Sequence, residues 1–332
     1  MGGSMDLIIE KGYPTDRIKN YPEEERWVQM WLENQQEFIF TTSGSSGPPK
    51  SIVFTREQII ASAQRTAELF HWFPDMHALH TLPMSFVAGR MNILRALIGK
   101  QSLWKVEPQL KYSAADFNAD ISIDWWTLTP AMLESFIPYA SRLFPQAQIL
   151  VGGGRVSERL KISTLNMDQS VWESYGAAET LTHVAVRKLN GENVMQGFEP
   201  IQQVTFKATA QGLKISDALL NQEVQTMDDW SQLDNGQWVM KGRMDDLINT
   251  GGVKVYPTQV EEIIDRFVDF ESFVKASPDD TLGEVITWVV PMEAIIPENW
   301  KLWFEQYPIL QPRKIERVEE LPRNRNGKWK RK

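Results

Sequence analysis

The amino-acid sequence predicts an α/β fold with a large N-terminal α/β domain and a small C-terminal α+β domain. Apolar, β-branched segments alternate along most of the chain with segments of helical spacing, the order that builds a sheet covered by helices. A shorter unit with its own glycine turn, helix and strand follows the Gly-Arg pair at residues 242–243. We therefore expect domains at 1–242 and 243–332.

Composition excludes several classes of function. The 332 residues are 42% hydrophobic and 23% charged, as in globular proteins. The net charge of −8 argues against a general nucleic-acid-binding protein, which needs a basic face. The absence of cysteine excludes disulfides and thiolate catalysis and fits a cytoplasmic protein. The four histidines show no metal-ligand spacing, so we expect packing or surface roles for them.

The ends of the chain lead to two further expectations. Residues 1–4 precede a second methionine, Met5, and are interpreted as an expression scar rather than a signal peptide. The longest apolar stretch, near Val285–Met292, is too short to span a membrane. We expect a protein without a membrane span, and a homodimer is a candidate assembly.

The first elements are predicted from local pattern. Glu37–Ser43 and Ser51–Phe54 have the β-branched and aromatic content of strands. Thr55 and Gln58 have the spacing of a capping box, and apolar residues then recur at helical spacing at Ile59, Ala63, Ala67 and Phe70. Later elements are expected at Ile121–Thr127 (strand), Ala131–Phe136 (helix), Ile149–Val151 (strand), Thr258–Phe267 (helix) and Val285–Val290 (strand).

The segment from Thr41 to Lys50, TTSGSSGPPK, is the strongest local signal. Its glycines allow close backbone approach, and its hydroxyls and amides can donate to phosphate oxygens. A solvated linker is the alternative, but the two flanking strands argue against it. A Walker loop is disfavoured, since Pro49 stands where that motif needs glycine and a strand, not a helix, follows.

This segment resembles the phosphate-binding motif of the adenylate-forming superfamily, which includes acyl-CoA synthetases and luciferases. Further segments are similar to the other family motifs, in the family's order. The resemblance implies an enzyme that activates a small carboxylate with ATP and Mg²⁺ through an acyl-AMP. It implies that the ATP phosphates bind to Thr41, Thr42, Ser43, Gly44, Ser45, Ser46, Gly47 and Lys50.

The stretch from Tyr175 to Thr180, YGAAET, looks like the family's YGxTE element. The resemblance implies that Tyr175 stacks on adenine, with Gly176 beside it, and that Glu179 is catalytic and helps to hold Mg²⁺. Ala178 replaces the usual threonine, which removes one donor to phosphate. The cluster Gly152, Gly153, Gly154 is expected to lie near the same adenine.

Two further segments resemble the ribose-binding and hinge motifs. Asp228, in TMD where the family has TGD, is expected to bind the ribose hydroxyls, although Met227 replaces glycine. Arg243 is expected to contact ribose or phosphate, and Asp245 matches the hinge about which the C-terminal domain turns. The glycine turn that follows implies a tunnel for coenzyme A, formed by Gly251, Gly252 and Lys254.

The C-terminal segment from Pro322 to Lys328, PRNRNGK, resembles the family's last motif. Its lysine, Lys328, is expected to be catalytic by bridging the acyl carboxylate and the ATP phosphates. An ammonium group on a flexible side chain suits charge that develops at the α-phosphate.

In its compact length the chain resembles the short o-succinylbenzoate–CoA ligases of menaquinone biosynthesis. The acyl pocket implied by this resemblance contains Phe86, where many relatives have histidine, with Thr182 and His183. A substrate with a second carboxylate needs a cation, and Arg90, Arg95 and Arg155 are the candidates. A ligase for another acid, a non-catalytic nucleotide-binding relative and a fragment of a longer synthetase stay open as alternatives.

Overall fold

The computed structural model describes residues 5–41, 50–323 and 329–331. Most of the predicted phosphate loop and the predicted catalytic lysine lie outside these residues, namely Thr42, Ser43, Gly44, Ser45, Ser46, Gly47 and Lys328. The chain forms two compact units. The first comprises Met1–Val156, Ser163–Thr205 and Ser216–Val224, and the second comprises Ser157–Ile162, Phe206–Ile215 and Gln225–Lys332.

The elements of the described residues follow in chain order. The strands are β1 (Asp6–Glu10), β2 (Tyr13–Pro14), β3 (Glu37–Thr41), β4 (Ser51–Thr55), β5 (His77–His80), β6 (Ser102–Lys105), β7 (Trp125–Leu128), β8 (Gln148–Val151), β9 (Ser170–Gly176), β10 (His183–Lys188), β11 (Glu199–Pro200), β12 (Val204–Thr209), β13 (Gly212–Asp217), β14 (Gln222–Gln225), β15 (Asp228–Gln232), β16 (Trp238–Arg243), β17 (Ile248–Thr250), β18 (Val253–Val255), β19 (Phe273–Asp279), β20 (Gly283–Pro291) and β21 (Lys314–Val318). The α-helices are α1 (Pro22–Leu32), α2 (Arg56–Leu69), α3 (Val87–Ile98), α4 (Pro130–Phe136), α5 (Glu158–Thr164) and α6 (Pro257–Ile264).

The first unit is built on a sheet whose described strands run in the order β11-β10-β9-β8-β7-β5-β6-β1-β2. The five strands β6, β5, β7, β8 and β9 are parallel, and antiparallel strands flank them on both sides. All four residues of β7 are buried, as expected where helices cover both faces of a parallel sheet. The strand order reverses between β5 and β7, and ligands of such sheets generally bind at the carboxyl ends of the strands at this kind of position.

The hairpin β3–β4 and helix α2 form as the sequence predicts. Phe38, Phe40 and Phe54 point to one side and are buried, with the rings of Phe38 and Phe40 packed against Trp27 at centroid distances of 5.7 and 5.2 Å. The predicted capping box is confirmed, because the Thr55 hydroxyl accepts from the backbone N–H of the residue three positions on, whose side chain bonds back. Of the predicted stripe on α2, Ala67 alone is only partly buried.

Two predicted elements have different bounds in the structure. The strand expected over 121–127 begins only at Trp125. One reason is that the Asp124 carboxylate accepts the backbone N–H of His77, so a side chain takes the place of a ladder bond. The helix expected to reach Phe267 ends at Ile264, because hydrogen bonds of the tighter i→i+3 type continue the turn beyond it.

The second unit contains a five-stranded sheet in the order β18-β17-β20-β19, with β21 parallel to β20. Helix α6 packs its buried residues Val260 and Ile264 on this sheet around Trp288. The strands β15 and β16 form a separate antiparallel hairpin. The strands β12, β13 and β14 form a separate three-stranded sheet. Among the described residues, no helix is both long and apolar enough to cross a bilayer.

Candidate active site

The predicted adenine-binding residues of the first unit follow two adjacent strand ends. Gly152, Gly153 and Gly154 come directly after β8, and Tyr175 lies at the end of its parallel neighbour β9. The hydroxyl of Ser174 donates to the carbonyl of Val151 at 3.1 Å. A Cβ at Gly152 would lie 2.4 Å from the Ser174 oxygen, so glycine permits this close packing. The sheet thus brings these predicted residues together at the carboxyl ends of β8 and β9.

The chain after Tyr175 makes a tight reversal that carries Glu179. A Cβ at Gly176 would lie 2.3 Å from the carbonyl oxygen of Thr182, so only glycine fits here without movement. Leu181, which is fully buried, has a φ of +62° and a ψ of −48°. The N–H of Thr182 donates to the carbonyl of Thr180 at 2.6 Å across this leucine. Such a γ-turn with positive φ is rare and strained, and strain of this kind is concentrated at functional sites.

The hydroxyl of Thr180 holds this reversal together. It accepts the N–H of Ala177 at 3.0 Å and lies 2.8 Å from the carbonyl oxygen of Thr182. The hydroxyls of Ser62 on α2 and Thr182 share a hydrogen bond of 2.9 Å. These contacts fix the backbone on both sides of Glu179, whose own side chain is exposed. The sequence did not single out Thr180 or Ser62.

The position of Glu179 suits a metal ion that is coordinated mainly by a bound nucleotide rather than by the protein. No cluster of three or more acidic or histidine side chains that could cage a cation occurs in the described part of the chain. Mg²⁺ is commonly bound by one or two carboxylates together with substrate phosphates and water. A single exposed carboxylate therefore fits an ion that arrives with a nucleotide.

Arg95 is a buried cation in the predicted acyl pocket. It lies on α3 and is only 4% exposed. Its Nε has no hydrogen-bond partner among the described residues. Burial, with a smaller effect from the positive charge of Arg65, lowers the pKa of Arg95 to about 10, so the side chain is charged at neutral pH. A buried unpaired charge is costly, which favours an anionic ligand at this position.

His183 lies beside this cation and is uncharged. Burial, together with the positive charges of Arg95 and Arg65, lowers the pKa of the His183 imidazole well below its usual value. The Nε2 of His183 lies 3.5 Å from the hydroxyl of Thr66, which itself donates to the carbonyl of Ser62. Two predicted acyl-pocket residues are therefore close together: the positively charged Arg95, whose Nε has no partner among the described residues, and the neutral ring of His183.

A second buried arginine supports this pocket. Arg65 on α2 bonds both carboxylate oxygens of Asp217 at 2.9 and 2.8 Å, and both side chains are buried. Because Arg65 is neutralised in this way, it is a structural residue, unlike Arg95. The sequence did not single out this pair. A signal was available, since Ser62, Arg65 and Thr66 place polar groups at helical spacing on one side of α2.

The other candidates in the first unit have more exposed positions or competing contacts. Arg90 donates from Nε to the carbonyl of Met84 at 2.7 Å, and its guanidinium lies 5.1 Å from the centre of the Trp27 ring. Phe86 stands at the N-cap of α3 and is partly buried. The remaining described candidates are exposed, namely Thr41, Lys50 and Arg155.

In the second unit, three predicted residues form one charged cluster. Asp228 and Arg243 face each other across the hairpin β15–β16. Arg243 donates from Nε and Nη2 to the two oxygens of Asp245 at 2.9 and 2.8 Å, and its Nη1 lies 3.4 Å from Asp228. Hydrogen bonding to Asp245, with the nearby acidic charges, raises the pKa of Arg243. The predicted ribose-binding and hinge residues are thus in direct contact.

The predicted coenzyme A residues surround the turn between β17 and β18. Gly251 and Gly252 have φ angles of +59° and +83°, a turn geometry that favours glycine at both positions. Lys254 is exposed on β18. A surface cleft beside this turn is lined by Gly251, Val253, Leu282, Ile309 and Arg313, among others. The turn therefore borders a concave surface within the second unit.

Comparison with known proteins settles the family. The model of the AMP-binding enzyme family matches residues 9–237. This chain belongs to that family. It is 26% identical over 339 residues to a 2-succinylbenzoate–CoA ligase of Staphylococcus epidermidis, covering 89% of this chain and 68% of the relative. A ligase of the same name from Staphylococcus aureus is 24% identical over 372 residues, covering 100% and 74%.

Solved structures agree on the fold. The crystal structure of an acyl-CoA synthetase (AMP-forming)/AMP-acid ligase II-like protein from Dyadobacter fermentans has a TM-score of 0.62 at 27% identity, covering 95% of this chain and 94% of that one. The o-succinylbenzoate CoA synthetase of Bacillus subtilis, in complex with its acyl-adenylate intermediate, has a TM-score of 0.74 at 20% identity, covering 88% and 67%. The predicted family and the predicted adenylate-forming α/β fold are confirmed.

Proposed function

We propose that the protein is an ATP-dependent carboxylate–CoA ligase and that its acid is o-succinylbenzoate. Membership of the AMP-binding family supports the reaction class, and relatives named for this acid support the substrate. The observation that carries the substrate assignment is the buried Arg95, whose Nε has no hydrogen-bond partner among the described residues, beside a neutral His183. An aromatic acid with a second, flexible carboxylate supplies the anion that this pocket lacks.

The first half-reaction joins the acid to AMP. ATP binds with its phosphates along residues 41–50, its adenine near Tyr175 and its ribose at Asp228 and Arg243. Glu179 would hold Mg²⁺, which would supply neutralisation of the phosphate charge. The substrate carboxylate attacks the α-phosphorus, and pyrophosphate leaves. Lys328 stabilises the charge that develops there, so catalysis is chiefly positioning and electrostatic stabilisation.

The second half-reaction transfers the acyl group to coenzyme A. The domain 243–332 turns about Asp245, which withdraws Lys328 and brings forward the turn at Gly251 and Gly252, with Lys254 next to it. The thiol of coenzyme A attacks the acyl carbonyl of the adenylate. The products are the thioester and AMP, so one site serves two steps.

Among the three candidate arginines, Arg95 suits the second carboxylate best. Arg90 already donates to a backbone carbonyl and lies over an aromatic ring, and Arg155 is exposed. Of these three arginines, only Arg95 is buried and has a donor, Nε, without a hydrogen-bond partner among the described residues. A cytoplasmic location and a homodimer stay predictions from the sequence.

The test is a substrate panel with ATP, Mg²⁺ and coenzyme A. AMP and thioester are measured with o-succinylbenzoate, benzoate, succinate and a fatty acid, each at matched concentration. Turnover with o-succinylbenzoate that exceeds the others by about 10²-fold or more supports the assignment, since a polar site rejects analogues that leave its groups unpaired. Equal or better turnover of benzoate contradicts the substrate, and no AMP with any acid contradicts the reaction class.

A further inference from the structure

Two hydrogen bonds connect the segments on either side of the predicted hinge, Asp245. The hydroxyl of Tyr256 donates to Oδ2 of Asp229 at 2.7 Å. The hydroxyl of Thr258 donates to the carbonyl of Lys241. Asp229 and Lys241 belong to the hairpin β15–β16 that precedes the hinge, whereas Tyr256 and Thr258 start helix α6, which follows it.

The tyrosine ring packs directly on the backbone before the hinge. A Cβ at Gly242 would lie 2.6 Å from Cδ1 of Tyr256 and 2.9 Å from the hydroxyl oxygen of Thr258. The glycine of this motif is therefore explained by the ring that covers it. The packing and the two hydrogen bonds form one contact surface between Gly242 and the start of α6.

The bond between Tyr256 and Asp229 is of the stronger, charge-assisted kind. The Asp229 side chain is 29% exposed, and the Nζ of Lys241 lies 4.0 Å from the same carboxylate oxygen. Burial and the bond to Asp229 raise the pKa of the Tyr256 hydroxyl, so it stays a donor at neutral pH. Hydrogen bonds to ionised groups contribute about twice as much as those between neutral groups.

We propose that Tyr256 and Asp229, together with Thr258 and the carbonyl of Lys241, form a latch that stabilises one orientation of the domain 243–332. A turn about Asp245 would move Tyr256 away from Asp229, so the latch exists in only one of the two orientations. Breaking it shifts the balance between adenylate formation and thioester formation. This inference rests on the proposed two-step reaction and its pivot.

Domain orientation can be measured without relying on activity. The chain has no cysteine, so Gln64→Cys and Glu305→Cys, both at exposed positions, provide two labels for single-molecule energy transfer. Tyr256→Phe keeps the ring and removes only the donor. The ratio of the two orientations is expected to change about tenfold, the effect of losing one charge-assisted hydrogen bond. Tyr307→Phe, which removes the hydroxyl of an exposed tyrosine, should leave the ratio unchanged.

The half-reactions give a second readout. Acyl-adenylate formation and thioester formation from supplied adenylate should change in opposite directions in Tyr256→Phe, and Asp229→Ala should have the same effect. A parallel fall in both rates with a lower melting temperature would indicate a merely structural contact and overturn the latch. An unchanged orientation ratio in both variants would also overturn it. An inactive parent protein would refute the proposed reaction, while energy transfer would still decide about the latch.

Discussion

Arg243 donates two parallel hydrogen bonds to the carboxylate of Asp245, from Nε to Oδ1 at 2.9 Å and from Nη2 to Oδ2 at 2.8 Å. The same guanidinium also reaches Asp228. A residue expected to contact nucleotide is thus bonded to the residue expected to act as the hinge. We therefore expect the nucleotide site and the hinge to influence each other.

Replacing the hinge residue separates the two half-reactions. Asp245→Pro fixes φ near −65° and should hinder the pivot, so thioester formation slows while acyl-adenylate formation is largely retained. Rapid-quench assays of each half-reaction measure this. Asp245→Ala is the control, because it removes the ion pair with Arg243 but leaves the backbone free to turn. Normal thioester formation in the proline variant would end the hinge assignment.

Lys328→Ala should have the reverse effect. Adenylate formation is expected to fall by roughly 10²-fold or more, because an ammonium group at the developing charge is lost. Thioester formation from supplied acyl-adenylate should be spared. Lys330→Ala, which removes a neighbouring exposed cation, is the matched control. Equal loss in both half-reactions would refute the role of Lys328.

Arg95→Gln should weaken recognition of the second carboxylate. The KM for o-succinylbenzoate is expected to rise roughly 10²-fold, since a buried charge-assisted contact is lost. The melting temperature should stay the same or rise, because an unpaired buried charge is removed. Arg90→Gln provides the comparison at a partly exposed position on the same helix. An unchanged KM in Arg95→Gln would place the carboxylate elsewhere.

Thr180→Val tests the reversal that carries Glu179. Valine has the same shape but cannot bond Ala177 or the carbonyl of Thr182, so we expect adenylate formation to fall about tenfold or more through misplacement of Glu179. Thr180→Ser keeps the hydroxyl and should restore most of the rate. The apparent affinity for Mg²⁺, measured by titration of the rate, should weaken in the valine variant. If that variant matched the parent protein in both measurements, the positioning role would be wrong.

The lowered pKa of Glu24 predicts how the free energy of unfolding depends on pH. Lys105 lies 2.8 Å and His80 3.5 Å from the Glu24 carboxylate, and all three side chains are buried. Burial alone would raise the pKa of Glu24, but its interactions with the nearby His80 ring and the Lys105 ammonium outweigh burial and lower the pKa to about 2. Because the pKa of Glu24 is lower in the folded state than in the unfolded state, ionised Glu24 stabilises the fold. This contribution to the free energy of unfolding is complete above about pH 4.5 and is lost as the pH falls toward 2.

Glu24→Gln should therefore lower the free energy of unfolding at neutral pH by about 3 kcal/mol, because Lys105 is left buried without its counter-ion. Urea unfolding at several pH values measures this. Glu23→Gln, at an exposed position on the same helix, should change stability little. The difference between the two variants should shrink below pH 4.5, and a constant difference would contradict the account.

Local pattern predicted much of the fold. The β-branched and aromatic content of residues 37–41 predicted β3, and the spacing of Thr55 and Gln58 predicted the start of α2. The sequence could not place the start of β7, because the Asp124 side chain there competes with the sheet through a contact to a distant strand. Contacts of this kind depend on tertiary packing rather than on neighbouring residues.

The candidate site was predictable only in part. Motif order identified Tyr175, Glu179 and Arg243, since their types and spacing belong to a known family. The ion pair of Arg65 and Asp217 joins residues 152 positions apart, so no local pattern could reveal it. Equally, three arginines were candidates from the sequence, and only their burial and hydrogen bonding in the fold distinguish Arg95 from the other two.

The central claim is that the protein activates an acid as its adenylate before coenzyme A reacts. The most direct measurement mixes the protein with ATP, Mg²⁺ and o-succinylbenzoate without coenzyme A, then quenches and quantifies nucleotides. We predict about one equivalent of bound acyl-adenylate per chain, converted to thioester and AMP when coenzyme A is added. Formation of ADP, or of thioester without any preceding adenylate, would contradict the account.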